Sequence, residues 1–362
     1  MFRKTDADRV GLALTAVSDG KVSSALGCVI IALGSSIINF CGLKAILYYE
    51  KYAWLVFFIV FMIMYGMAAP HAVNTPHAVI TTPGPEMGTE MHGAVLAGNV
   101  LSLLSVVYGS SCSWATIAAD YYVHYPINTS KVKVFTLCTL GIAIPTCIGM
   151  VLGCCISSTM AVDKDWSSAY EEGLGYLIQK ILFPRGFAKF ILVLLVLSAV
   201  GMNALNLYSC ALSIQQFARP FAKVPRTLWV LVVFGVVTAI AVAGRDHLLE
   251  YLENFLSLLG YWGTSYFVIV FIEHYWFRKG DFANYDLDGW NNPLKLPLGL
   301  AGLGAFLIGV IGWCLGMYET WFTGPLAKLI GEGGDIANEL TFAFTLLAYI
   351  PLRHLELRFF KK

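Results

Sequence analysis

Long apolar runs alternate along this chain with short stretches that hold most of its charge. Against the roughly 20 apolar residues that span a bilayer, nine runs stand out: 22–40, 54–67, 94–119, 134–157, 190–213, 227–243, 255–272, 297–317 and 336–350. Each predicts a membrane helix, the second and the last being short by this measure. The third run is interrupted by Gly109-Ser110-Ser111-Cys112-Ser113-Trp114. Hydrocarbon has no water to satisfy freed backbone groups, so irregular backbone at that depth is tolerated where it is buried in protein or lines a cavity. Broken helices of this kind mark substrate sites in transporters. The same small residues equally suit a close contact between two helices, and the segment alone leaves the two readings even.

Composition agrees with the pattern, at 57% hydrophobic and 13% charged residues. The chain reads as an all-α integral membrane protein with about nine transmembrane helices. A formal net charge of +1 gives no sign of a nucleic-acid partner. The placement of Lys and Arg is more telling, because positive loops stay on the cytoplasmic side. Lys44 and Lys51, Lys131 and Lys133, Arg219, Lys223 and Arg226, Arg278, Lys279 and Lys295, and the tail from Arg353 to Lys362 form one alternate set. The opposite set is poorer in Lys and Arg, so the C-terminus is expected inside. Nine helices then put the N-terminus outside, against Arg3, Lys4 and Arg9. The expectation is a chain lacking an odd number of upstream helices.

Candidate chemistry is sparse. Asn203, Asn206, Cys210 and Ser213 in the fifth run are spaced three, four and three apart, which places them on one helical face. Intramembrane amides are costly unless paired. They either join this helix to a neighbour or present donor and acceptor to a small heterocycle. The nine cysteines form no C-x-x-C pair, and His71, His77 and His92 have no metal-ligand spacing. With no nucleophile–base pair and no phosphate loop either, neither an enzyme nor a bound cofactor or metal is expected. Asp120 and Glu273 are the acids nearest membrane depth. Asp120 reads as a helix-end anchor and Glu273 as an ion-pair partner of Arg278, with proton coupling as the sharper alternative for each.

Several segments resemble the fungal purine–cytosine permeases of the nucleobase–cation symporter family. The resemblance rests on Gly42-Leu43-Lys44 with Tyr48-Tyr49-Glu50-Lys51-Tyr52-Ala53-Trp54, and on Ser113-Trp114-Ala115 with Ala119-Asp120-Tyr121-Tyr122. It continues through Asn206-Leu207-Tyr208-Ser209, Leu252 to His274, and Gly324-Pro325 to Asp335. It implies a five-plus-five inverted-repeat (LeuT-like) transporter bundle of twelve helices, the nine here matching the fourth to the twelfth. On that scheme 1–21 is the exit of the third helix with an external loop. Residues 22–276 are transporter core, with a broken helix near 109–114, and 277–362 hold the last two helices and a cytoplasmic tail.

The resemblance further implies proton symport of nucleobases (the cytosine, adenine, guanine and hypoxanthine class) across a lipid bilayer, at the plasma membrane. It places Trp114, with Ser113, as the ring-stacking position and Asn203 and Asn206 as substrate amides. Met202 and Leu205 depart from the expected Asn and Pro, which makes the pocket less polar and less kinked. A vitamin B6 permease of the same family, and a non-transporting membrane partner of a full-length permease, are the rival readings.

Overall fold

The structure, a computed structural model, describes residues 12–73, 93–126, 128–244, 248–286, 288–289, 292, 295–331 and 333–360. Arg3, Lys4, Arg9, His77 and His92 lie outside the described residues. Every apolar run is helical: α1 (Ser24–Phe40), α2 (Leu43–Ala68), α3 (Gly93–Cys112) with α4 (Trp114–Tyr122), α5 (Lys131–Met160), α6 (Arg185–Phe217), α7 (Arg226–Gly244), α8 (Leu248–Ile272), α9 (Leu300–Gly316) and α10 (Ala337–Phe360). Among the described residues, six helical spans are long and apolar enough to cross a membrane, α3 with α4 counting as one, while α1 and α9 are apolar at 17 residues each. The chain is an all-α, multi-pass membrane protein.

The two runs that looked short are extended by polar turns. α2 starts at Leu43, so Lys44, Glu50 and Lys51 are helical rather than in a loop. Gly42, at φ 87°, is the hinge between α1 and α2, a conformation that glycine adopts without the Cβ penalty. α10 runs on to Phe360 through Arg353 and Glu356, which no hydrophobicity pattern would include.

The chain divides into two compact units, one of Met1–Glu90 with Ala143–Tyr251 and the other of Met91–Ile142 with Leu252–Lys362. In the first, α1 and α6 are joined by side chains aimed at backbone. Ser35 Oγ donates to the Val200 carbonyl at 3.0 Å, and Asn39 Nδ2 donates to the Ala204 carbonyl at 2.9 Å. Both donors are almost fully buried. Tyr49 of α2 donates to the Leu197 carbonyl of α6 at 2.7 Å. An apolar core of Val60, Met64, Leu177, Ile181, Ala188 and Leu192 gathers α2, α6 and the short helix Leu174–Ile181.

In the second unit glycines set the helix spacing. A Cβ on Gly312 would stand 2.9 Å from the Leu340 carbonyl oxygen, and one on Gly316 would stand 3.0 Å from Ile336 backbone, so α9 lies directly on α10. The same holds for α3 on α8, where a Cβ on Gly109 would stand 2.8 Å from the Leu256 carbonyl carbon and one on Gly260 would stand 3.1 Å from Gly109 Cα. At the end of α8 an ionic network ties three helices. Glu273 accepts from Arg353 Nε at 3.0 Å and Nη2 at 2.9 Å, from Arg278 Nε at 3.1 Å and from Tyr349 Oη at 3.0 Å. Arg353 Nη1 donates to Glu356 at 2.8 Å, and Glu356 Oε1 accepts from the Leu300 amide at 3.0 Å, the first residue of α9.

Two outcomes follow from this packing. Gly109→Val should destabilise the purified protein by about 1–3 kcal/mol through overpacking, read as a lower thermal midpoint in detergent; an unchanged midpoint would contradict the contact. Arg353→Met should cost about 3–5 kcal/mol by leaving buried Glu356 without its ion-pair partner, and much of that loss should return in the Glu356→Gln, Arg353→Met double variant, read as the thermal midpoint in detergent.

Candidate functional site

Over 109–114, where the sequence suggested a broken helix, the backbone stays helical and the change lies in the hydrogen bonds. Ser113, between α3 and α4, itself keeps α-helical dihedrals (φ −55°, ψ −30°). The hydrogen bonds around it are long: Ser113 N to Gly109 O, and Thr116 N to Ser113 O, which is one residue shorter in span, are both 3.4 Å. Hydroxyls take up the carbonyls on the way. Ser110 Oγ donates to Val107 O at 2.7 Å, Ser113 Oγ to Ser110 O at 3.0 Å and Thr116 Oγ1 to Ser113 O at 2.8 Å. Such back-bonding loosens a helix while leaving no polar group bare. Gly109 therefore serves helix packing, and the locally weakened point lies four residues on, beside half-buried Trp114.

A polar chain links this helix to its neighbours in the second unit. Asn338 Nδ2 of α10 donates to Ser105 Oγ at 2.9 Å. Thr264 Oγ1 of α8 lies 3.2 Å from Asn338 Oδ1 and 3.1 Å from Tyr108 Oη, and Cys112 Sγ lies 3.5 Å from the same Tyr108 oxygen. Closer to the start of α3, buried Asp335 accepts from the Ala337 amide at 2.9 Å and from Tyr261 Oη, and its own amide donates to Ser102 Oγ at 3.1 Å. None of these residues was a sequence candidate. Ser102, Ser105, Tyr108 and Cys112 do recur at helical spacing along α3, a signal that was available.

In the first unit, Asn203 and Asn206 share one face of α6 with Cys210 and Ser213. Asn203 is half-buried and the other three are exposed. The opposite face, with Val200, Ala204, Leu207 and Ala211, is buried. Neither amide makes a hydrogen bond among the described residues. The helix-joining role open to them is filled instead by Asn39 and Ser35 from α1.

The two acidic candidates separate. Glu273 is held by two arginines and a tyrosine at the end of α8. Asp120 lies half-buried in the last turn of α4 with no hydrogen bond or ion pair among the described residues. No group of three His, Cys, Asp or Glu that could hold a metal occurs among the described residues.

With this geometry the chain can be placed among known proteins. The family of permeases for cytosine/purines, uracil, thiamine and allantoin matches residues 10–329. The chain belongs to this family. It is 35% identical to purine-cytosine permease FCY2 of Saccharomyces cerevisiae over 92% of its own length and 61% of that relative's. It is 36% identical to purine-cytosine permease fcyB of Emericella nidulans over 97% of its length and 67% of the relative's. Vitamin B6 transporter TPN1 of Saccharomyces cerevisiae is 31% identical over 97% of the chain and 68% of its own length. The chain thus spans about three fifths to two thirds of the length of these relatives, all of them named as permeases or transporters rather than enzymes. No solved structure matches it.

Proposed function

We propose that this chain transports purine nucleobases and cytosine across the plasma membrane by proton symport. The observation that carries the reading is the 35–36% identity to purine–cytosine permeases over more than nine tenths of the chain. The same comparison favours nucleobases over vitamin B6, to whose transporter the identity is 31%.

The local chemistry supports the roles assigned to individual residues. Trp114, next to the weakened turn at Ser113, offers a flat apolar face to a planar base, and stacking on a rigid ring loses little rotamer freedom. Asn203 and Asn206 carry donors and acceptors that the helix packing does not use, which suits the mixed edge of a nucleobase. Ser113 is the hydroxyl beside the stacking ring. The Lys and Arg alternation supports a cytoplasmic C-terminus.

Trp114→Ala should weaken cytosine binding by about 1–3 kcal/mol, the range of base–aromatic stacking, and Asn206→Ala by about 0.5–1.5 kcal/mol for a lost hydrogen bond. Both are read by equilibrium binding of labelled cytosine to purified protein, with folded yield measured alongside. Unchanged affinity in both variants, at normal yield, would remove these residues from the site. A tag at the C-terminus should resist protease in sealed cells; cleavage there would reverse the orientation.

A further inference from the structure

Glu50 is the one acidic residue of α2. It lies inside the membrane-length helix Leu43–His71 and is half-buried. It makes no hydrogen bond or ion pair among the described residues. Its carboxylate rests against α6 at Gly201, where a Cβ would stand 3.2 Å from Glu50 Oε1. Gly201 is the midpoint of the 33-residue α6, two residues before Asn203 on the helix that carries the amide face. A half-buried acid without a partner is costly as a charge unless something neutralises it.

The surroundings hold little that could neutralise it. α6 has no Asp, Glu, Lys, Arg or His from Phe190 to Phe217, and α1 has none from Ser24 to Phe40. Their remaining titratable groups are Cys28 on α1, and Tyr208 and Cys210 on α6; the Tyr208 ring carries Arg226 of α7 at 4.4 Å. On its own helix Tyr49 faces the same spot, with its hydroxyl given to the Leu197 carbonyl, and Lys51 is the next residue. The short helix Leu174–Ile181 packs around Val60 and Met64, farther along α2, and its Lys180 is paired with Asp165 at 2.9 Å. Asp120 shares the lack of a partner, but it sits where its helix ends, whereas Glu50 abuts the middle of another.

We propose that Glu50 is the carboxylate that takes up and releases the proton carried with the nucleobase. On uptake an O–H bond forms at one carboxylate oxygen and the group becomes neutral against Gly201; on release that bond breaks and the proton returns to water. The link to substrate is α6, which packs on Glu50 at Gly201 and presents Asn203 and Asn206 on the following turns. The proposal rests on the symport reading above and names its coupling group.

The test is cytosine affinity as a function of pH for the purified chain, with Glu50→Gln and Glu50→Asp. Linkage to one proton makes wild-type affinity fall about tenfold per pH unit once Glu50 deprotonates. Glu50→Gln should bind with no pH dependence and Glu50→Asp should keep it. Equal slopes in wild type and Glu50→Gln would overturn the assignment, since a packing role cannot remove a slope. A second arm needs no substrate: pH-difference infrared spectra should show a protonated-carboxyl band that Glu50→Gln loses. If wild type binds no cytosine but shows that band, the nucleobase reading fails and the proton site stands. If the band is the same in Glu50→Gln, the proton site fails whatever binds.

Discussion

A hydrocarbon environment supplies no water to a bare polar group, and most of what is distinctive in this structure answers that constraint. Seryl and threonyl hydroxyls take the carbonyls around Ser113, so the helix can loosen there without orphaned oxygens. Ser35 and Asn39 spend their side chains on α6 backbone, and the end of α8 closes its charges into one network with Arg353 at the centre. Groups that escape this rule are few. Asn203, Asn206 and Glu50, on α6 or against it, are three of them among the described residues, and the buried hydroxyls of Thr238 and Thr341 are two more.

Glycine does the complementary work. Where helices must approach until backbone meets backbone, as Gly109 meets Leu256 and Gly260, no side chain can intervene. A glycine in an apolar run therefore had two sequence readings, flexibility or contact, and at Gly109 contact prevails. The long hydrogen bonds fall at Ser113, where Ser113 and Thr116 supply hydroxyls to the carbonyls.

Helix positions were legible in the sequence because each apolar run is long and the charges between runs are clustered. Helix ends were less so. α2 and α10 extend through charged turns whose helicity depends on partners elsewhere, Leu197 and Gly201 for one and Glu273 for the other, and a local pattern holds no trace of a partner a hundred residues away. The amide face of α6 was legible from spacing, but its lack of partners was not. Glu50 was visible only as part of a motif; that it abuts the middle of α6 is a tertiary fact. The pairing of Glu273 with Arg278 follows from a five-residue separation, while the stronger commitment to Arg353 does not.

The central claim is that the ligand is a nucleobase. It is tested most directly by displacement of labelled cytosine from the purified chain by unlabelled adenine and by pyridoxine. The account predicts that adenine displaces cytosine and that pyridoxine, at the same concentration, does not. Displacement by pyridoxine with adenine inert would contradict it and assign the site to vitamin B6.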